Sequence, residues 1–281
     1  MTHIAQVGDV EVLSLLDVGD WTLAGFFPLV SPEEWARYRA LYPDALGETG
    51  SILTSATAYA VRSSDSVILV DTGLGPGPHE RIGGQTGQLL AELRSAGIGP
   101  ADVDLVVFTH LHRDHVGWNA LGFGTEAQPT FSRARYLAPR KDWEYYRQPT
   151  RAERAAHLAG TVALFEQGLV DLVDGERAVG RNITLLPTPG HTPGHQAVLV
   201  ASGGERAAII GDLAHTPPQV EEIDWSATAD TDPKMASAMR GQVFDRIEAD
   251  HTLLCAGHFP HPGFGYLTRV EGRRIFQAIK P

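Results

Sequence analysis

Cysteine is almost missing from this chain: Cys255 is the only one among 281 residues, so no intrachain disulfide can form. Stability therefore does not depend on an oxidising compartment. No stretch approaches the ~18 uninterrupted apolar residues of a membrane span. The start of the chain also lacks the basic residues and the apolar run of a signal peptide. We expect a cytoplasmic protein with no membrane partner.

An excess of basic charge is missing as well. The chain has 34 Asp and Glu residues against 23 Lys and Arg residues, which gives a formal net charge of −11 at pH 7. Nucleic acids and anionic membrane surfaces bind clustered Lys and Arg side chains. The one small basic group, Arg133, Arg135, Arg140 and Lys141, is interpreted as a solvated face. The charge pattern thus argues against nucleic acid as a partner.

No repeat, low-complexity tract or linker interrupts the sequence, and 43% of the residues are hydrophobic, enough for a large core. We therefore predict a single domain over residues 1–281. Apolar runs of strand length recur with turn residues between them. These runs are 10–16, 56–61, 67–70, 105–108, 183–186, 197–200, 207–210 and 253–256.

Helical patterns interleave with these strands. Residues 88–96 and 234–249 have apolar side chains at helical spacing, and 140–168 looks largely helical with a break at Pro149. Consecutive strands near the start, and again from 183 to 211, predict antiparallel meanders. Two mixed sheets packed together with helices outside would account for both features, which indicates an α+β fold.

Residues 21–50 form a segment that is rich in aromatic residues. It contains Phe26, Phe27, Trp35, Tyr38 and Tyr42. One interpretation is a helix that is capped at its preceding serine and packs on the core. The others are a flap that lines a pocket with aromatic rings, or a subunit contact that would produce a homodimer.

The strongest chemical signal is the stretch Thr-His-Leu-His-Arg-Asp-His at 109–115, directly after a predicted strand. It places four metal-binding side chains, His110, His112, Asp114 and His115, within six residues. Alternate side chains at a strand end can point to one side, and the following turn can bring the last two to a second point nearby. Neutral imidazole suits zinc, iron or nickel, and a carboxylate compensates the charge of a dication. We therefore predict a metal site.

Three more candidate ligands follow predicted strands. His191, Asp212 and His258 each come directly after a glycine, which allows the sharp turn that brings a ligand close. Seven donors exceed the capacity of one tetrahedral ion, so the set predicts two divalent cations with Asp212 as an acidic bridge. We expect zinc, for which manganese, cobalt or iron(II) can substitute.

Together these motifs resemble the metallo-β-lactamase fold superfamily. They are Asp-Thr-Gly at 71–73, His-x-His-x-Asp-His at 110–115, Gly-His-Thr at 190–192, Gly-Asp at 211–212 and Gly-His at 257–258. The resemblance implies an αββα four-layer sandwich with a dinuclear site at one edge. It assigns the metal ligands as follows: His110, His112 and His191 to one ion, Asp114, His115 and His258 to the other, and Asp212 to both. Asp71 and His195 would support the ligand loops without touching metal.

The C-terminal third resembles one branch of that superfamily, the one that contains methyl parathion hydrolase. The resemblance rests on the stretch around His215, the pair Asp230 and Asp232, and the stretch 257–265. Acyl-homoserine lactonases share the ligand set, but they carry a tyrosine three residues after the bridging aspartate, where this chain has His215.

Many true β-lactamases of this fold lack the aspartate bridge. Persulfide dioxygenases have a similar first motif but use one iron, so a mononuclear iron dioxygenase is a further alternative.

The implied reaction is hydrolysis of an ester, a lactone or an organophosphate triester by a hydroxide held between the two ions. Asp114 would orient this nucleophile, and His215 would donate a hydrogen bond to the substrate or leaving group. A small-molecule substrate with an apolar or aromatic group is expected. The aromatic residues expected to line its pocket are Phe26, Phe27, Trp118, Trp143 and Phe264.

Overall fold

The computed structural model describes residues 2–48, 50–122, 126–152 and 155–279, and this part of the chain forms two seven-stranded sheets. The first sheet consists, in hydrogen-bonded order, of β1 (His3–Val7), β2 (Val10–Ala24), β3 (Ser51–Arg62), β4 (Val67–Val70), β5 (Leu105–Val107), β8 (Arg135–Pro139) and β9 (Val170–Val173). The second consists of β10 (Arg177–Ala178), β11 (Ile183–Pro187), β12 (Gln196–Ser202), β13 (Glu205–Ile209), β14 (Leu253–Cys255), β15 (Phe264–Val270) and β16 (Arg273–Ala278). A small ribbon pairs β6 (Ala120–Leu121) with β7 (Gln128–Pro129).

The helices are α1 (Pro32–Arg39), α2 (Leu89–Ser95), α3 (Arg140–Tyr146), α4 (Ala159–Glu166) and α5 (Pro233–Ala249). Short 3-10 turns lie at Glu80–Ile82, Pro100–Asp102, Pro149–Arg151, Ala156–Leu158, Gly211–Leu213 and Pro217–Val220. Within the described ranges, none of the helices combines the length and the apolar character needed to cross a bilayer.

The core has three layers, which shows that the predicted αββα sandwich is correct. Side chains from both sheets meet in the central layer, for example Val12 and Val70 with Val198 and Cys255. The outer face of the first sheet packs against α2, α3 and α4. The outer face of the second sheet packs against α5. Because both faces of each sheet are covered, the sequences of the strands are nearly continuous apolar runs.

Alternation along single strands explains how one strand serves two layers. Val12 of β2 points into the central layer, while its neighbour Leu13 points to the helices outside. Successive side chains of a strand lie on opposite faces of the sheet. A shift of one residue in register would therefore exchange the two layers.

The predicted helices and strands are largely confirmed. The pattern at 88–96 forms α2, the pattern at 234–249 forms α5, and 140–168 divides into α3 and α4 around Pro149. The strand predicted at 10–16 is too short, because β2 continues through two register irregularities to Ala24. The first residues of the segment 21–50 therefore belong to the sheet.

The aromatic side chains of that segment pack against their own chain. Helix α1 begins after Ser31, whose hydroxyl accepts a hydrogen bond from the Glu34 N–H while the Glu34 carboxylate accepts one from the Ser31 N–H. Trp35 of this helix stacks on Trp225 with ring centroids 5.6 Å apart, and Phe27 lies beside both rings. The interpretation of 21–50 as a subunit contact stays a prediction.

Asp17 connects several elements beneath the first sheet. Its buried carboxylate accepts hydrogen bonds from the backbone N–H groups of Leu74 (2.6 Å), Gly75 (3.3 Å) and Leu89 (2.9 Å) and from Trp118 Nε1 (2.7 Å). It thereby ties β2 to the loop after β4 and to the start of α2. Burial raises the pKa of Asp17, and these hydrogen bonds oppose that shift.

Replacing Asp17 by alanine should lower the free energy of unfolding by about 3 kcal/mol or more, because several buried N–H donors lose their acceptor together. Urea denaturation followed by tryptophan fluorescence measures this change. Asp44→Ala is the matched control, since Asp44 is exposed and should change stability little. Equal urea midpoints for the two variants would show that the hydrogen bonds of the Asp17 carboxylate do not stabilise the fold.

Candidate metal centre

The directions of the strands bring four loops to one edge of the sandwich. Strands β13 and β14 are parallel, and β11 runs in the same direction because β12 between them is antiparallel to both of its neighbours. Their carboxyl ends therefore lead into His191, Asp212 and His258 on the same side of the second sheet. Strand β5 of the first sheet leads into the stretch 109–115.

One group of candidate ligands combines His110, His112, His191 and Asp212, and their ligand atoms lie within 4.8 Å of one another. His191 Nε2 lies 3.1 Å from Asp212 Oδ2 and 2.9 Å from His112 Nδ1. His110 Nε2 lies 3.6 Å from Asp212 Oδ2. These nitrogens and this oxygen converge on one point.

A second group combines Asp114, His115 and His258, again within 4.8 Å. His258 Nε2 lies 3.5 Å from Asp114 Oδ2, and His115 Nε2 lies 3.9 Å from Asp114 Oδ1. The Asp114 side chain is 25% exposed, whereas the two imidazoles are buried. Asp114 is therefore the member of this group that faces solvent.

Asp212 lies between the two groups. Its Oδ2 atom faces His110 and His191, and its Oδ1 atom lies 3.1 Å from the Nε2 atoms of both His115 and His258. The carboxylate presents one oxygen to each group, which is the position a bridging ligand takes. Gly211 makes this approach feasible: it has a φ of 51°, and a Cβ there would lie 2.7 Å from His195 Nε2.

The carboxylates and imidazoles change one another's protonation. Burial and the neighbouring His115 imidazole hold the pKa of His110 well below its ordinary value. Burial also disfavours charge on His191, but Asp212 and Asp230 outweigh it and raise the pKa of His191 to about 9. The surrounding imidazoles keep the pKa of Asp212 well below its usual range despite burial. A cation at this centre would compete with protons on the same atoms.

The residues fit divalent cations. Among the described residues, His110 Nε2, His115 Nε2 and Asp212 Oδ1 are buried and form no well-aligned hydrogen bond, although Asp212 Oδ1 lies 3.1 Å from His115 Nε2. Buried polar atoms without partners are costly in a folded protein unless an ion or water binds them. Imidazole nitrogens with a shared carboxylate form a donor set typical of zinc and related metals.

Asp71 orients the first ligand loop from behind. It accepts hydrogen bonds from the Thr109 N–H and the Thr109 hydroxyl, both at 2.7 Å, and from His115 Nδ1 at 2.8 Å. This leaves His115 Nε2 free to face the candidate metal position. The role predicted for Asp71, support of a metal ligand without contact to metal, stays a prediction that these contacts allow.

His195 contacts the backbone of the bridging residue. Its Nε2 atom accepts a hydrogen bond from the Asp212 N–H at 3.0 Å, and its Nδ1 atom lies 3.1 Å from the Thr188 carbonyl oxygen. Burial lowers the pKa of His195 to about 3, so the ring is neutral and Nδ1 carries its proton. Neither nitrogen of His195 is available to a metal.

His215 lies beside the centre and is buried. Its Nε2 atom is 3.2 Å from Asp212 Oδ2, and its ring lies parallel to that of His258 with centroids 5.6 Å apart. The half-buried Phe26 ring contacts it edge-on at 4.9 Å. Sequence reasoning predicted both residues near the site, and the structure brings them there.

The other aromatic residues predicted for the pocket are buried in the interior. Trp118 and Trp143 belong to the core under the first sheet, Phe264 to the layer between the sheets, and Phe27 to the cluster around Trp35. A large ring buries about 150–250 Å² of surface, so most aromatic side chains are stabilised by packing in the interior. Whether any of these four rings also lines a substrate pocket stays a prediction.

Sequence reasoning missed Asp142, a buried carboxylate in the first turn of α3. It accepts hydrogen bonds from the Leu111 N–H (3.1 Å), the Thr192 hydroxyl (2.8 Å) and the Gly194 N–H (2.6 Å). It thereby ties together the two loops that carry His110 and His191. Burial raises the pKa of Asp142 to about 6, against the effect of these hydrogen bonds. No local motif marks this residue.

Comparison with known proteins gives a family and several relatives. The model of the metallo-beta-lactamase superfamily matches residues 52–258. An N-acyl homoserine lactonase from Bacillus sp. is 25% identical over 201 residues, 65% of this chain and 73% of the relative. The N-acyl homoserine lactonase AttM from Rhizobium radiobacter is 30% identical over 138 residues, 47% and 49% of the two chains.

Solved structures show the same fold over nearly the whole chain. The hydrolase AbOPH of the beta-lactamase superfamily superposes with a TM-score of 0.85 at 24% identity, covering 99% of this chain and 97% of its own. AidC, a dizinc quorum-quenching lactonase in complex with a product, gives 0.81 at 21% identity, with coverage of 98% and 96%. The more specific resemblance to methyl parathion hydrolase stays a prediction. The matched family model, the two sheets and the converging ligand loops all agree: this chain belongs to the metallo-beta-lactamase superfamily.

Proposed function

We propose that this protein is a dinuclear metal-dependent hydrolase that opens lactones, with N-acyl homoserine lactones as the first candidate substrates. The observation that carries the proposal is the position of Asp212, whose two oxygens face two separate groups of buried imidazoles. The lactonase names of the curated relatives and of AidC support the substrate class.

Two divalent cations, most simply zinc, would be held by the seven side chains described above. His110, His112 and His191 would bind one ion, Asp114, His115 and His258 the other, and Asp212 both. When bound, such ions lower the pKa of water and polarise a carbonyl or phosphoryl oxygen. The dizinc description of AidC supports zinc.

Asp114 is suited to orient the attacking water. Its side chain is 25% exposed, so a carboxylate oxygen can accept a hydrogen bond from a water molecule that enters from solvent. A carboxylate that accepts a hydrogen bond from water increases the nucleophilicity of the water oxygen.

His215 is suited to contact the substrate from the inner wall. Its ring lies against Phe26 on one side and His191 on another, with ring centroids 4.9 Å away in each case. Its Nδ1 atom has no hydrogen-bond partner among the described residues, and its Nε2 atom lies 3.2 Å from Asp212 Oδ2. A protonated ring nitrogen there can donate a hydrogen bond to a substrate oxygen on which negative charge develops.

A cavity of about 710 Å³ adjoins the ligand loop and offers space for the rest of the substrate. Arg113, between the ligands His112 and Asp114 in the chain, forms part of its wall, together with apolar groups such as Leu74, Pro76 and Val116. Cavities of 300–1,000 Å³ with apolar walls and a few polar groups typically bind small molecules. An acyl chain suits this lining.

One observation favours a second candidate, hydrolysis of aryl esters or organophosphate triesters. His215 stands where the acyl-homoserine lactonases have a tyrosine, so the contact to the substrate oxygen differs from theirs. An imidazole is smaller than a phenol, and it can donate a hydrogen bond from either of two ring nitrogens.

With zinc restored, the protein should hydrolyse N-acyl homoserine lactones, and lengthening the acyl chain from butanoyl to hexanoyl should raise kcat/KM by up to about 15-fold. The reason is that each buried CH₂ contributes about 0.8 kcal/mol. Product formation is followed by chromatography, with aryl esters, β-lactams and methyl paraoxon in parallel. Turnover of methyl paraoxon alone would favour the second candidate. One iron per chain together with oxygen consumption would instead indicate the dioxygenase alternative.

Asp212→Ala should abolish hydrolysis and leave fewer than two metal ions per chain, because neither group of imidazoles then has its shared carboxylate. Metal content is measured by elemental analysis after gel filtration, and activity on the best lactone. The control is Asp250→Ala, which removes an exposed carboxylate at the end of α5. Unchanged turnover in the Asp212 variant would show that hydrolysis does not require Asp212 as a bridging ligand.

His215→Phe should lower kcat by about 100-fold while both metal ions remain bound, because the change removes a hydrogen-bond donor and keeps the ring. Steady-state kinetics and elemental analysis measure the two effects separately. Phe26→Leu serves as the comparison, since it alters an apolar wall and should mainly change KM. Loss of one metal ion in the His215 variant would identify His215 as a ligand instead.

A further inference from the structure

His191 contacts buried groups on both sides of its ring. Its Nε2 atom faces Asp212 and His112, and its Nδ1 atom lies 3.0 Å from Asp230 Oδ1. A neutral imidazole carries its proton on one nitrogen only. A carboxylate beside Nδ1 holds the proton there, and the lone pair of Nε2 then points towards the other candidate ligands.

Asp230 is itself held in place by buried groups. Its side chain is fully buried, and its Oδ2 atom accepts a hydrogen bond from the Ala227 N–H at 3.1 Å. The same oxygen lies 3.5 Å from Nη1 of Arg240, a side chain of α5 that is also fully buried. A buried ion pair rarely improves stability over apolar residues of the same size, so packing alone does not account for it.

Arg240 also reaches the loop that carries the bridging aspartate. Its guanidinium donates hydrogen bonds to the carbonyl oxygens of Ile223 (2.7 Å) and Leu213 (3.3 Å), and Leu213 directly follows Asp212. One cation on α5 therefore contacts both the carboxylate behind His191 and the backbone next to Asp212.

The backbone around Asp230 is docked onto the ligand loop. The Thr231 N–H donates to the His191 carbonyl oxygen (2.9 Å), and the Asp232 N–H donates to that of Gly190 (2.8 Å). Gly190 has a φ of 137°, and a Cβ there would lie 2.3 Å from the Ala236 nitrogen of α5. The absence of a side chain thus allows the close approach that places Asp230 behind His191.

We propose that Asp230, fixed by Arg240, is a positioning residue that sets the tautomer and orientation of His191 and thereby the affinity of the first metal position. This inference rests on the proposed metal-dependent function. Carboxylates behind metal-binding imidazoles raise the basicity of the ligand, and their loss typically costs about 10–100-fold in metal affinity. Helix α5 then contributes to metal binding although it supplies no ligand.

The experiment measures stepwise Zn²⁺ affinities of the full chain by competition with a chromophoric chelator. The variants are Asp230→Asn, the double variant Asp230→Asn with Arg240→Met, and Asp232→Asn. The last is the matched control, because Asp232 lies two residues away, caps α5 through the Met235 N–H, and asparagine can replace it there. The double variant removes both buried charges, so it avoids leaving Arg240 unpaired.

We expect one of the two affinities to fall about 10–100-fold in both variants that lack Asp230, while the Asp232 variant matches the wild type. Recovery of wild-type affinity in the double variant would mean that Asp230 only neutralises Arg240, which would overturn the inference. Equal affinities for Asp230→Asn and the wild type would overturn it as well. If the wild-type protein binds no Zn²⁺, the proposed metal-dependent function is wrong. This outcome differs from a failure of the Asp230 inference because it appears without any mutation.

Discussion

A carboxylate buried among five imidazoles constrains the whole edge of this sandwich. Asp212 has histidine Nε2 atoms between 3.1 and 3.6 Å from its two oxygens, and its side chain is 5% exposed. A buried carboxylate without compensating partners would be costly. Five nitrogens can surround it only if loops from both sheets end close together. The relative position of the two sheets is therefore tied to the geometry of one side chain.

Buried carboxylates farther from the centre maintain that geometry. Asp71 orients His115, Asp142 links the loops of His110 and His191, and Asp230 lies behind His191. Most of their remaining partners are backbone N–H groups of the same loops, which would otherwise be buried without acceptors. The same hydrogen bonds thus keep the loops folded and aim the imidazoles. Stability and ligand placement are properties of one network.

The residues that converge at the candidate metal centre could be picked out from the sequence because their signal is local: an apolar strand, often a glycine, and then a ligand-type residue. Asp71 and His195 were found through family motifs, but no such signal shows the supporting contacts of Asp142 and Asp230. Asp142 lies 31 residues from Leu111 and 50 from Thr192, and Asp230 lies 39 residues from His191. Only the folded chain brings these pairs together. The fold class followed from strand and helix periodicity together with family motifs, whereas the extension of β2 depended on irregularities that periodicity does not reveal.

The aromatic residues show why specificity is harder to derive than the metal centre. Any large ring gains from burial, so its presence in a sequence says little about whether it faces a core or a ligand. Phe26 differs from Phe27 only in the side of the chain on which it lies, yet it contacts His215 while Phe27 packs on Trp35 and Trp225. The turn after β2 therefore has two roles: Phe27 anchors it to the interior, and Phe26 contacts the candidate site. The buried Phe27 holds Phe26 in place beside His215, and Asp114, with 25% of its side chain exposed, is the candidate ligand through which the centre faces solvent.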